Sequence, residues 1–269
     1  MSTATLGRSF GEFFEDRSRV GFAAAVGAAL AERGVAALGG LGGRDDVLAL
    51  AAELMEVWPH RDGDPDGLTM IRDTGSRHSG RAGFAGLGRG EVLPHTERSP
   101  LPDPPRVMLL VCARPGDSGG ENLLVDGRAV LADLAGHHPA ALEALSAPRA
   151  ALFGGSDGHF APVLALLPTG RWRIRLRQDD LARFSPQAQA HLPVLRAAID
   201  RHALRLRLAP GQALVLDNHR VLHARSAFTG ERLMIRALGA ARPALRLAAG
   251  FSAPWAASGP ASEPSTAPP

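Results

Sequence analysis

The sequence predicts a mainly β protein with flanking helices, its strands folded as a jelly roll or a related double-sheet barrel. Three observations carry that expectation. Short apolar segments bounded by Gly, Pro, Asn and Asp dominate the centre of the 269-residue chain. Apolar residues at helical spacing fall at the front and in insertions between strands. Strands and helices do not alternate regularly, which argues against a Rossmann or TIM-barrel layout, whereas many short strands with turn signals suit a double-sheet architecture.

The elements follow in order. Residues 17–33 and 44–57 are predicted helices, with "GVAALGG" between them a short strand or turn. Asp45 and Asp46 suit the first turn of the second helix, where free N–H groups favour negative charge. Together these make an N-terminal helical segment over roughly residues 1–60. "LTMIRD" reads as a short strand, and the Gly-rich "TGSRHSGRAGFAGLGRG" as a loop. "EVLPHTE" and "PRVMLLVCARP" read as strands, and "GDSGGEN" as a turn. "LLVDGRAVLADLAGH" starts as a strand and becomes a helix after Asp126. "APVLALLP" and "RWRIRLR" are strands joined by a Thr-Gly turn. Residues 186–202 are helical, "LRLRLAPGQALVLDNHRVLHARSAF" holds two strands across a Pro-Gly turn, and "RLMIRALGA" is a late strand. Residues 1–252 are expected to form a single domain, and the Pro/Ala/Ser-rich residues 253–269 a disordered tail.

Composition narrows the function classes. With 45% apolar and 21% charged residues the chain reads as an ordinary soluble protein. No apolar run is long enough to span a bilayer, because Glu32 and Arg33 interrupt the closest one. The N-terminus lacks a basic region followed by an apolar one, so the cytoplasm is the expected location. Cys112, the single cysteine, lies in an apolar run and reads as a core residue. The isoelectric point near 10.6 is no nucleic-acid signal. The formal charge is only +3, and all 30 basic residues are arginines mixed with acids along the chain.

The chemistry-bearing stretch is "LPHTE". On a strand, residues i and i+2 point to one side, so His95 and Glu97 would share a face. A His-x-acid pair is weak alone, and His60-Arg61-Asp62 repeats it in a polar loop with no strand to fix its geometry; that pair reads as surface. His95 and Glu97 stand ahead of an apolar strand and have a third candidate ligand in His223, within "LDNHRVLHARSAF". Two imidazoles and one carboxylate suit a non-haem Fe(II) oxygenase with open positions, and zinc could take them too. Arg232 and Arg236 follow, sharing parity, so both would face one interior. A buried Arg needs an anionic partner and pairs well with a carboxylate. A dicarboxylate bound to iron at one end would offer its far carboxylate there.

Taken together, "LPHTE", "GDSGGENLLVDGRA", "DNHRVLHARSAF" and "RLMIR" resemble the Fe(II)/2-oxoglutarate-dependent oxygenases of the taurine dioxygenase and clavaminate synthase-like superfamily. The likeness runs over roughly residues 90–240. It implies a double-stranded β-helix (jelly-roll) core, with His95, Glu97 and His223 as the ligands of Fe(II). It implies Arg232 on the distal carboxylate of 2-oxoglutarate, and Arg236 on a substrate anion or in support of the cosubstrate. Asn122 stands where many members have a cosubstrate-binding Thr, and its amide can also donate. The carboxylate ligand is Glu rather than the commoner Asp, as in clavaminate synthase-like members, and its presence argues against a halogenase.

The implied activity is O2-dependent hydroxylation, desaturation or cyclisation of a small anionic or amino-acid-like substrate, free or carrier-bound, in specialised metabolism, with release of succinate and CO2. Arg225 and Arg175 are candidate substrate-carboxylate contacts, although the "RWRIRLRQDD" strand reads first as a solvated face. Asp217 and Asn218 are expected to fix the turn before His223 by local hydrogen bonds, and His137-His138 to face solvent. The loop 75–90 is a candidate lid. The competing readings are a non-catalytic jelly-roll sensor of metal and carboxylate, and a zinc hydrolase using the same ligands. Nucleic-acid binding is remote, because no aromatic-basic platform is present.

Overall fold

The computed structural model describes residues 10–75 and 83–255. Ten strands build two antiparallel sheets. In chain order they are β1 (Val35–Leu38), β2 (Met55–Val57), β3 (Thr69–Arg72), β4 (Val92–His95), β5 (Val107–Arg114), β6 (Asn122–Asp126), β7 (Ala203–Leu206), β8 (Ala213–Asp217), β9 (Val221–Arg225) and β10 (Leu233–Ala241). The larger sheet runs β1-β8-β5-β10, with β2 and β3 pairing successive parts of the far edge of β10. The smaller runs β7-β6-β9-β4.

The apolar run in β5 explains the layering. Val107, Leu109 and Val111 join the cluster under helices α1 (Phe22–Arg33) and α2 (Arg44–Leu54). Met108, Leu110 and Cys112 point the other way, into the space between the sheets, beside Leu124 of β6 and Met234 and Leu238 of β10. A strand covered on both faces reads as a continuous apolar run rather than an alternating one. The outer face of the smaller sheet, with Val125 and Leu222, packs on α3 (Gly127–His137), α4 (Pro139–Ser146), α5 (Pro186–Ala190) and α6 (Leu192–Arg201). The site described below opens from the gap between the two sheets.

The helix boundaries have local causes. α1 ends on Gly34, whose φ of 77° suits glycine and whose N–H reaches Leu30 C=O. The predicted helix 44–57 stops at Leu54, because Met55–Val57 pairs with β10 instead. Asp126 caps α3 by accepting from Arg128 N–H, as the change from strand to helix there implies. The predicted helix 186–202 is two helices: Pro193 has no N–H for the carbonyl one turn back, so α5 ends before α6 begins.

Two strand expectations are corrected. "LRLRLAPGQALVLDNHRVLHARSAF" contains three strands, and the two flanking the Pro-Gly turn lie in different sheets: β7 pairs with β6, β8 with β1 and β5. The turn therefore crosses between layers rather than closing a hairpin. β4 also ends at His95, so Glu97 lies in the turn beyond it. Of the expected tail, residues 256–269 lie outside the described residues, as do 76–82 of the expected lid.

Asp126 also takes two hydrogen bonds from buried Arg220, at 2.8 and 2.7 Å. Replacing Asp126 with Ala removes a helix cap and strands a buried cation. It should lower unfolding free energy by about 3 kcal/mol in denaturant melts, and Asp126→Asn by less.

Candidate active site

β4 and β9 are antiparallel neighbours in which His95 sits directly opposite His223. The ladder brings the two ring centroids to 4.3 Å. Glu97, from the turn after β4, puts Oε1 3.4 Å from His223 Nε2. Ligand-type atoms of His95, Glu97 and His223 all lie within 4.8 Å of one another. His95 Nδ1 lies 2.8 Å from Leu93 C=O. A carbonyl only accepts, so Nδ1 carries the proton and Nε2 keeps a free lone pair. A ring fixed through its other nitrogen is what a metal-binding imidazole needs.

The electrostatics favour the ligand protonation states. Burial lowers the His95 pKa to about 4, and the neighbouring His223 pushes the same way. Burial would raise the Glu97 pKa, but Arg236 and the two histidines overcome it and hold the carboxyl well below its usual range. A neutral His95 imidazole beside a carboxylate fits a divalent cation. Arg236 Nη1 hydrogen-bonds Glu97 Oε1.

These groups line a cavity of about 960 Å³. Arg225, Arg232, Arg236 and Asn122 line it too, with Ile71, Met108 and Leu110 as apolar wall. Arg232 is 6% exposed and has no acidic partner among the described residues; its side chain approaches Asn122 Oδ1 at 3.5 Å. Arg225 is also buried, donates to the carbonyls of Gly88 and Gly90, and leaves Nε unpartnered. Both guanidiniums lie over Phe228, at 4.7 and 5.8 Å. Burial and the charge of Arg232 lower the Arg225 pKa to about 10. Two buried cations on one wall, with no carboxylate between them, make a place for an anion.

Two readings of single residues change. Arg175 does not reach the cavity: it is 2% exposed and donates to the carbonyls of Ser99, Leu101 and Pro102, at 2.6–2.9 Å, bracing the turn after Glu97. With three carbonyls on its two Nη atoms, it is a structural cation and not a substrate contact. His60, expected at the surface, lines the cavity with its side chain 14% exposed. Its Nδ1 accepts from Asp62 N–H at 3.1 Å, so Nε2 carries the proton. The spacing of His60 on the chain held no sign of this, because a non-adjacent loop brings it in. Asn218 also does more than fix its own turn: its side chain bonds the Glu97 backbone.

The description "Taurine catabolism dioxygenase TauD, TfdA family" matches residues 4–238. The chain belongs to this family. A uridine-5'-phosphate dioxygenase from Amycolatopsis sp is 30% identical over 155 residues, 51% of this chain and 56% of that protein. The chain thus spans little more than half the length of that relative. An asparagine oxygenase, solved with Fe(II), 2S,3S-3-hydroxyasparagine and succinate, superposes with a TM-score of 0.65 at 18% identity, over 84% of this chain and 85% of that one. The non-heme iron oxygenase OrfP, solved with Fe and alpha-ketoglutaric acid, gives 0.60 at 17%, over 88% and 87%. At such identities these structures establish the double-sheet fold. No described helix is long and apolar enough to cross a membrane.

Burial, then the charges of Arg236 and Arg98, lower the His60 pKa to about 4, against the opposing pull of Glu97 and Asp62. Between pH 6.5 and about 4 the unfolded chain therefore binds a proton at His60 that the folded one does not. That contribution to stability is present above pH 6.5 and is lost as pH falls toward 4. His60→Asn should flatten the pH dependence of metal-free unfolding free energy there by up to about one proton.

Proposed function

We propose that the enzyme hydroxylates, or by the same oxidation desaturates or cyclises, a small anionic or amino-acid-like molecule, consuming 2-oxoglutarate and O2 and releasing succinate and CO2. The observation that carries this is Arg232: a buried guanidinium without an acidic partner among the described residues, opening on the cavity that holds the two histidines and Glu97.

His95, Glu97 and His223 would hold the iron, which supplies the oxidising chemistry when O2 and 2-oxoglutarate are bound. Arg232 would receive the distal carboxylate as a fork, and Asn122, whose Oδ1 approaches Arg232, would orient that fork or donate to the carboxylate. Arg225 would take an anion of the substrate. Arg236, paired with Glu97, would hold that carboxylate in its charged form and turn toward substrate or cosubstrate. His60 presents Nε2–H as a neutral donor. Met108, Leu110 and Ile71 keep that side of the chamber apolar and dry.

Two substrate classes have support. The solved neighbours include complexes with 3-hydroxyasparagine and with (3S)-hydroxy-L-Arg, which favours an amino acid. The relative named for uridine-5'-phosphate, together with Arg225, which pairs with no acid among the described residues, and a cavity of about 960 Å³, favours a phosphate monoester.

Under anaerobic conditions, Fe(II) and 2-oxoglutarate added to metal-free protein should give the weak visible charge-transfer band of the chelate. His95→Ala should abolish it, and Arg232→Ala should need at least tenfold more 2-oxoglutarate. Aerobic succinate release should then rise with one class of a panel of amino acids and nucleoside monophosphates. Arg225→Ala should cut that stimulation about tenfold or more while sparing the anaerobic band. No band in folded, metal-binding protein contradicts the proposal.

A further inference from the structure

Glu97 sits where the strand ladder has ended. β4 stops at His95, so the peptide N–H and C=O of Glu97 have no strand partner. Both are met by one side chain. Asn218 Oδ1 accepts from Glu97 N–H at 2.8 Å, and Nδ2 donates to Glu97 C=O at 3.1 Å and to Pro105 C=O at 2.8 Å. A side-chain amide has two donor hydrogens and one oxygen, and here all are used. Asn218 is 2% exposed, so no water substitutes for it. The residue after Glu97, Arg98, has φ of 54°, a left-handed conformation that costs an L residue energy. The direction of the Glu97 carboxylate thus depends on a turn with an unfavourable neighbour.

Asn218 is itself firmly placed. It lies in the turn between β8 and β9, just ahead of the strand that carries His223. Its N–H donates to Arg106 C=O at 2.9 Å. Asp217 pairs with Arg106 at 2.8 Å and accepts from His219 N–H at 2.9 Å. His219 Nε2 donates to Pro104 C=O at 3.1 Å.

We infer that Asn218 is a positioning residue for the metal-binding carboxylate: its amide fixes the Glu97 peptide and ties the segment bearing His95 and Glu97 to the one bearing His223. The inference rests on reading those three as metal ligands, and it needs no 2-oxoglutarate. The β4–β9 ladder holds the two imidazoles without help. Loss of the amide should therefore loosen one ligand of three. Asn218→Asp is the informative change, because it keeps an acceptor for Glu97 N–H but sets carboxylate oxygens against two carbonyls.

The test compares metal-free wild type, Asn218→Asp and Leu131→Ala, titrated with Co(II) and followed by visible spectrum and thermal midpoint. Leu131 is fully buried in α3 on the far side of the smaller sheet, so its truncation destabilises the fold without touching the site. Asn218→Asp should bind Co(II) about 10–100-fold more weakly with an altered spectrum, while Leu131→Ala keeps both affinity and spectrum despite a lower midpoint. Co(II) binding by Asn218→Asp within twofold of wild type and with an unchanged spectrum would overturn the inference. So would an equal loss of affinity in Leu131→Ala. If Asn218→Asp does not fold, Asn218→Ser, which keeps one hydrogen-bonding group at the buried position, is held to the same criteria. Failure of the wild type to bind Co(II) overturns the ligand reading itself, and this inference with it.

Discussion

The antiparallel register of β4 on β9 is the constraint from which the site follows. It sets His95 opposite His223, both facing the gap between the sheets. A slip of one residue would send one imidazole to the outer face, because side chains alternate along a strand. β9 resists slipping because β6 flanks it on the other side, with Leu124 opposite His223, and because Leu222 is fully buried under the helices. β4 is an edge strand, paired on β9 alone, and Thr96 N–H to Leu176 C=O at 2.9 Å holds the chain just past its end. The β4–β9 ladder shifts between His223 and Arg225, an irregularity of the kind found beside active sites.

The buried arginines divide by their partners. Arg106 meets Asp217, and Arg175 meets three carbonyls; both hold the turns around Glu97 in place. Arg225 and Arg232 share a wall, repel each other and meet no acid among the described residues. Such a pair costs stability in the empty protein, a cost that an anionic ligand offsets. Stability given up at a binding site is a common bargain with function. Arg236 is a third kind, since its acid is Glu97, so a metal held there would share the carboxylate with Arg236.

Much of this was legible in the sequence. The apolar run of β5, covered on both faces, marked a central strand. Asp126 marked the strand-to-helix junction. The segments "LPHTE" and "LDNHRVLHARSAF" do come together, and Arg232 and Arg236 both line the cavity they form. What escaped was set by tertiary contacts. Alternation along a strand implied that His95 and Glu97 share a face, yet Glu97 reaches the site from a turn held by Asn218, a partner distant in sequence. Arg175 alternates with apolar residues as a surface strand would, but three carbonyls from the turn after Glu97 draw it inward. His60 looked like a decoy because only the folding of a distant loop brings it to the cavity. The Pro-Gly turn between β7 and β8 carried a hairpin signal, but pairing is decided by neighbouring strands, and each found its partner in a different sheet.

The central claim is that the cavity binds a dicarboxylate at two points, the metal site and Arg232. The direct measurement is calorimetric: 2-oxoglutarate against pyruvate, which lacks the distal carboxylate, titrated into Co(II)-loaded wild type and Arg232→Ala without O2. The account predicts that wild type prefers 2-oxoglutarate by about two orders of magnitude and that the preference collapses to within a few-fold in Arg232→Ala, the signature of a direct contact in a double-mutant cycle. Equal binding of the two acids by wild type, or a preference that survives loss of Arg232, would contradict it.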